Sequence, residues 1–390
     1  MHELLNGIRV LDFGRYVAGP YCATLLGYLG AEVIRIEKAG GGEDRFIAPF
    51  GDSGTGGLFM QTGCNKRSLA LDFRRPESAE AVRRLVKTAD VVVVNLPPKA
   101  LVRLGLDWES VHDLNPRAIL ATQTAFGSEG PLADRGGFDG VAQAMSGAMF
   151  MTGTPGKPVK AAAPYVDFST AVMSALGVMA ALYARRDSGL GQHVEASLLH
   201  TAMAVFGSHL AEQGALGLDR EPTGNRVQTS GPSDVFETRD GHVLTHVVGN
   251  GLFKRCAELL GHPEWIGASG LDSDQGRGDA RDALCEAMAA WCAQRTTESA
   301  LEELQAVGIP AGPVMNLQQA LDLPQAAAMG LFKTLGFPGW DGEAPVVDLP
   351  LRFSAGAAGI QSEPPVLGAD SETILADLGF DDETIRTLLD

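Results

Sequence analysis

Five short aliphatic runs mark the first third of the chain: GIRVLDF (residues 7–13), AEVIRIE (31–37), SLALDF (68–73), ADVVVVN (89–95) and AILATQ (118–123). Runs of this kind predict strands buried on both faces, as in parallel sheets. The stretches between them carry helical signals. Between the first two runs, Pro20 falls where the first turn of a helix tolerates proline, and Gly30 follows Leu29 where a glycine ends one. Repetition of this unit predicts βαβ connections and an α/β, Rossmann-like, doubly wound parallel sheet.

Residues 169–186, and again 194 to about 215, read as helices rich in Ala, Met and Gly, whose small side chains permit close packing. The longest apolar run, 171–184, is interrupted by Ser174 and Gly177 and is shorter than the roughly 18 residues of a membrane crossing, so it predicts a buried helix. After Gly224 the pattern changes. DVFETRDGHVLTHV (234–247) predicts a hairpin reversing at Asp240-Gly241, and helices follow to about Val307. LPLRFS (349–354) reads as a late strand after Pro345, and DDETIRTLL (381–389) as a short helix with an acidic start. This organisation predicts a large domain built from residues 1–224 and 331–390, with a smaller α+β domain at 225–330.

Composition narrows the classes. A chain of 390 residues, 45% hydrophobic and 20% charged, is long enough to bury a core without disulfides or structural metal. With 31 Lys+Arg against 48 Asp+Glu, its formal charge of −17 repels nucleic acid and anionic membranes, so neither is an expected partner. An anionic ligand then needs a local basic pocket. Cys22, Cys64, Cys256, Cys285 and Cys292 are odd in number and form no C-x-x-C pair, the pattern of reduced thiols in a cytoplasmic protein. The N-terminus has no basic stretch followed by an apolar run, so no secretory signal is read there. His193 and His200 stand seven apart in a helical pattern with no third ligand, and no metal site is predicted.

The loop after the first strand, residues 14–20, is the natural ligand position in a doubly wound sheet. It lacks the G-x-G-x-x-G spacing of a dinucleotide fingerprint, and Pro20 removes an amide that a pyrophosphate would use. Glu37, at the end of the second strand, reads either as an acidic ribose ligand or as a solvated strand end. Residues 33–75 hold seven basic residues (Arg35, Lys38, Arg45, Lys66, Arg67, Arg74, Arg75) against five acidic ones, with Arg103 a further candidate. Such a cluster suits phosphate oxygens; the plainer alternative is a set of snorkelling surface side chains. Asp167 stands just before the long apolar helix. It reads as an N-cap, or as a carboxylate held ionised by helix amides and competent to attack an activated acyl carbon. No G-x-S-x-G or Walker loop is present.

LNGIRVLDFGRYVAGPYCATLLGYLGAEVIRIEK, CNKRSLALD, GFDGVAQAMSG, GQHVEASLL, GIPAGPVMNLQQAL and VLGADSETIL, in this order, resemble the class III CoA-transferases over nearly the whole chain. The resemblance implies an interlocked homodimer and a reaction in which an aspartate, here Asp167, attacks an acyl-CoA thioester and passes CoA to a carboxylic acid. It places Val17 and Ala18 along CoA, Lys38, Arg74 and Arg103 at its phosphates, and Leu71, Asp72, Phe73, Asn95 and Leu96 at its adenosine end. Asp139 would approach the reacting centre. CoA and acyl-CoA are then substrates rather than resident cofactors, and small carboxylic acids are the other partners. Racemases of the family carry a histidine before the aspartate of G-x-D; here the residue is Phe138, whose ring exchanges no proton. Formyl-CoA transferases carry a long glycine run where this chain has residues 226–230, which disfavours formate and oxalate. Gly249-Asn250-Gly251 reads as flexible backbone cover or as plain turn sequence. A 2-methylacyl-CoA racemase, an intramolecular CoA transfer and a non-catalytic CoA-binding protein stay open as alternatives.

Overall fold

The computed structural model describes residues 3–50, 55–337 and 340–389; Asp52, an acid of the 33–75 stretch, lies outside them. The chain divides into two compact units. One comprises residues 1–148, 161–214 and 327–390, the other 149–160 and 215–326. The second unit therefore takes in a segment near residue 155 that no feature of the sequence attached to it.

The first unit is built on a six-stranded, all-parallel sheet. Its strands are β1 (Arg9–Asp12), β2 (Glu32–Lys38), β3 (Lys66–Leu71), β4 (Val91–Val94), β5 (Ile119–Thr124) and β6 (His193–Ser197), ordered β3-β2-β1-β4-β5-β6. This is the doubly wound arrangement that the aliphatic runs predict. Because side chains alternate along a strand, β4 sends Val92 and Val94 to one face and Val91 and Val93 to the other, and all four are completely buried. On the first face lie α2 (Pro76–Thr88), through Ala81, Val82, Leu85 and Val86, and two helices from the end of the chain, Ser371–Asp377 and Asp382–Leu389. On the second lie α1 (Ala18–Tyr28) and the long Tyr165–Ser188 helix, through Cys22, Leu26, Ala171, Ala175 and Val178.

Three sequence expectations change here. Residues 193–197 are not helical but form the edge strand β6, paired with β5 from Leu120↔His193 to Thr124↔Ser197, and the next helix begins at Leu198, capped by Ser197. His193 and His200 therefore share no helix. Residues 349–354 form no strand; an antiparallel pair, Phe332–Phe337 with Trp340–Val347, takes that role. The long helix starts four residues earlier than expected and runs for 24 residues, with the length and apolarity of a membrane crossing, and only one face is buried. That face packs tightly: a Cβ on Gly177 would stand 2.6 Å from Val194 Cγ1.

The second unit carries a three-stranded antiparallel sheet. The hairpin Ser233–Glu237/His242–His246 turns at Asp240-Gly241 and pairs with Ala311–Pro313. The Asp240 carboxylate accepts hydrogen bonds from Thr297 N (2.7 Å) and Oγ1 (2.8 Å), tying the turn to the helix Thr297–Ala306. Phe236, Val243, Phe253, Met288 and Trp291 form its core, with Cys256, Cys285 and Cys292 as buried free thiols. Gly249, at φ +82°, opens the helix Asn250–Leu260 and donates its N–H to Asp274, so this stretch is a fixed helix start. Arg226, in the 226–230 stretch, pairs with Asp234 and Asp282.

Candidate active site

The strand order reverses between β1 and β4, and the loop leaving β1 enters α1 at that crevice. Its path is fixed from both sides. A Cβ on Gly14 would lie 2.6 Å from Pro20 Cδ and 2.8 Å from Asp12 Oδ1, so the turn requires glycine. Asn95, just past β4, clamps the backbone of Arg15, accepting its N–H at 2.6 Å and donating to its carbonyl at 2.7 Å. Tyr16 takes a left-handed φ of 61°, and its ring meets Phe138 edge-on at 5.5 Å. Held strain of this kind clusters at functional sites.

Beside this loop opens a cleft of about 340 Å³, lined by Phe13, Gly14, Arg15, Lys38, Glu43, Phe73, Leu96, Pro97 and Arg103 among others. Under it lies a buried ion network. Asp12 accepts from Lys66 Nζ (2.8 Å) and Arg35 Nη1 (3.3 Å); Asp44 takes Arg35 Nη2 (2.8 Å); Glu37 takes Arg45 Nη2 (2.6 Å) and the N–H of Gly42 (3.0 Å). Burial works against the Glu37 charge, but Arg45 and Arg35 outweigh it and hold the carboxyl below its ordinary range. Two sequence readings are thereby corrected. Glu37 is neither a ribose ligand nor a solvated strand end, because its carboxylate is buried and fully engaged. Arg35, Arg45 and Lys66 do not belong to an external cationic patch, because all three neutralise buried acids.

Of the cations that line the cleft, Arg35 is buried, and those with exposed surface are Arg15, Lys38 and Arg103, the last on α3 (Pro98–Leu104). Lys38 and Arg15 both bind Glu43, at 2.7 and 2.6 Å, and these bonds, led by that of Lys38, pull its carboxyl down to about 2. Arg74 is exposed and forms a bidentate pair with Asp72 (2.8 and 2.7 Å), next to the lining residue Phe73. Val17 and Ala18 are buried at the start of α1, and Leu71 has no exposed side-chain surface.

The loop's other end leads to a pair of acids. α4 (Asp139–Met145) begins on Asp139, and α5 (Tyr165–Ser188) carries Asp167 in its first turn. Ala18, Ala142 and Val166 share one small buried cluster beneath them. Asp139 is 6% exposed; its Oδ1 accepts the N–H groups of Val166 (2.8 Å) and Asp167 (3.2 Å), and its Oδ2 accepts from Gln143 Nε2 (2.6 Å). Gln143 in turn accepts the Ala161 N–H at 3.0 Å. Asp167 is thus not the N-cap. Pro164 holds that position without a side-chain bond, and Asp139 satisfies the first amides from outside the helix. Nor is Asp167 held ionised by those amides: burial, with the Asp139 charge second, pushes its carboxyl up to about 7. Among the described residues its side-chain oxygens have no hydrogen-bond partner.

The structure therefore gathers Lys38, Phe73, Leu96 and Arg103 at one end of the loop and Asp139 and Asp167 at the other, with Asn95, Val17 and Ala18 between. Arg15, Glu43 and Gln143 are additions. Gln143 was detectable, four residues after Asp139 on one helix face; Glu43 was hidden inside a charge count. Among the described residues no three His, Cys, Asp or Glu side chains are grouped to hold a metal ion.

The model of CoA-transferase family III matches residues 5–371. The chain is 32% identical to a succinyl-CoA–D-citramalate CoA-transferase of Chloroflexus aurantiacus, covering 96% of this chain and 94% of that one. It is 33% identical to a succinate–glutarate CoA-transferase of Agrobacterium fabrum, covering 96% and 95%. A crystal structure of a CaiB/BaiF family protein from Brucella suis superposes with a TM-score of 0.85 at 31% identity, over 97% of this chain and all of that one.

Proposed function

The chain belongs to CoA-transferase family III, and from that premise we propose that it moves CoA from succinyl-CoA to a small dicarboxylic acid through covalent intermediates on Asp167. The donor and acceptor class follows the names of its relatives. The ionised Asp167 carboxylate attacks the thioester carbonyl, and the C–S bond breaks to give an acyl-aspartyl anhydride and CoA thiolate. The thiolate attacks the aspartyl carbonyl, releasing the donor acid as carboxylate and leaving an aspartyl-CoA thioester. The acceptor carboxylate then repeats the two exchanges in reverse, which restores Asp167 and yields the new acyl-CoA.

The observation that carries this reading is the Asp167 carboxyl itself: desolvated, without a partner, its neighbouring amides satisfied by Asp139. A carboxylate whose proton affinity is raised toward neutrality is a stronger nucleophile than an ordinary one, yet is still ionised in part of the population. In this reading Lys38, Arg74 and Arg103 take the phosphates of CoA. Asp72, Phe73, Asn95 and Leu96 surround its adenosine end, while Leu71, fully buried, can only support Phe73 and Leu96 from within the core, and the backbone at Val17 and Ala18 guides pantetheine toward Asp167. Binding of that remote moiety holds the thioester against the carboxylate. The reading includes a cytoplasmic homodimer, supported by five buried free thiols and by the exposed apolar side chains of Val172, Met173, Leu176 and Tyr183 on α5.

The test crosses a panel of acyl-CoA donors with organic acids, reads products by mass spectrometry, and traps the enzyme with hydroxylamine. The expected result is CoA exchange with a hydroxamate on Asp167, and loss of turnover by at least roughly 10³-fold in Asp167→Ala. Full activity in that variant overturns the mechanism.

A further inference from the structure

Glu43 is an acid placed among the cations of the ligand cleft. The other lining acid, Glu37, is buried and engaged by Arg45. Glu43 Oε1 accepts from Lys38 Nζ at 2.7 Å, while Oε2 takes Arg15 through Nη2 at 2.6 Å and Nε at 3.2 Å. One carboxylate thus bridges two cations with both its oxygens, as the non-bridging oxygens of a phosphate would.

The local fold holds it there. Residues 42–45 are anchored by Gly42 N–H to Glu37, Asp44 to Arg35, and Arg45 to Glu37 and the Pro365 carbonyl, with the Arg45 guanidinium 3.9 Å from the centre of the Phe59 ring. A Cβ at Gly42 would stand 2.4 Å from Asp44 Oδ1. Only the Glu43 side chain leaves this anchored turn for the cleft, with 42% of its surface exposed beside Lys38 at 56% and Arg15 at 40%. Exposed pairs of this kind are weak and exchange readily.

We propose that Glu43 is a resident anion that keeps Lys38 and Arg15 closed to free carboxylates and yields them to the phosphates of CoA. The inference rests on the CoA-transferase reading, because that reaction takes a free dicarboxylic acid as its second substrate. A tethered carboxylate competes at a high effective concentration, which a free acid held only by Lys38 and Arg15 cannot match. CoA adds contacts at Arg103 and on the apolar walls Phe73 and Leu96, so it displaces Glu43 where a free acid does not. Glu43 is here a specificity-determining residue and takes no part in bond making.

The experiment measures binding of coenzyme A, pantetheine and succinate by calorimetry to wild type and Glu43→Gln, with melting temperatures as a check on folding and Glu43→Ser as the second variant. Removing the tethered charge is expected to tighten CoA roughly three- to tenfold and to turn succinate into an effective competitor against CoA, with pantetheine, which has no phosphate, unchanged. Adding Lys38→Ala to Glu43→Gln is expected to abolish the gain. CoA binding that is unchanged or weaker in both variants overturns the proposal. Should wild type itself fail to bind CoA, the transferase reading falls, and that result precedes any variant; a wild type that turns over with no gain in the variants sinks this inference alone.

Discussion

At position 167 burial and a neighbouring acid act in the same direction, and the result sets the pH response. In the proposed mechanism the carboxylate attacks in its ionised form, so kcat/KM is expected to be low in acid, to rise through about pH 7 and to level above it. Asp139 contributes to that position through its charge and also anchors the first turn of α5 through two N–H bonds. Asp139→Asn removes the charge while keeping one acceptor oxygen, so the acidic limb is expected to move to lower pH and the plateau to fall roughly 10²-fold. A pH profile from 5 to 9 checks this. A residue with only a structural role would lower the plateau and leave the limb in place. The sequence pointed to Asp167 and Asp139, but it could not show which of them meets the helix amides. Pro164, three residues ahead, was the available sign that the helix begins earlier.

Among the elements, β1, β2 and β3 are joined under the cleft by buried charges as well as by apolar contact. Lys66 and Arg35 meet on Asp12, and Arg35 continues to Asp44. Removing one member leaves a buried charge short of a partner, so Lys66→Met is expected to cost about 3 kcal/mol. Urea unfolding at neutral pH measures it, and combining it with Asp12→Asn should recover part of the loss because the two sites share one interaction. Elements whose burial is uniform were legible: the aliphatic runs of β1 to β5 have no other stable home. β6 was not, because His193 and Glu195 face solvent on an edge strand and its remaining apolar positions merge into the period of the helix after it. The 349–354 run misled in the opposite sense: Leu351 and Phe353 are apolar but 58% and 43% exposed, and apolar content alone does not make a strand. The cation cluster was half legible, since charge counts cannot distinguish an arginine facing a ligand from one neutralising a buried carboxylate.

For the molecule as a whole, the outward face of α5 departs from a self-sufficient fold. Val172, Met173, Leu176 and Tyr183 are each at least half exposed on a helix whose other face is core. Light scattering is expected to give twice the 41.0 kDa chain mass, and Met173→Lys with Leu176→Lys to return it to one chain. A wild-type mass of a single chain would remove the dimer. The sheet itself closes late. Its β3 edge is tied to Asp370, which accepts the Ser68 N–H across a sequence separation of 302 residues, and Leu85 and Leu71 are covered by Ile374, Leu375, Ile385 and Leu388. During vectorial synthesis on the ribosome part of that apolar surface stays uncovered until Ser371–Asp377 and Asp382–Leu389 emerge, so a nascent chain has its strands long before it has their full cover. A chain released before Ser371 would leave that face only partly covered, by α2 and its neighbours, and exposed to chaperones and proteases.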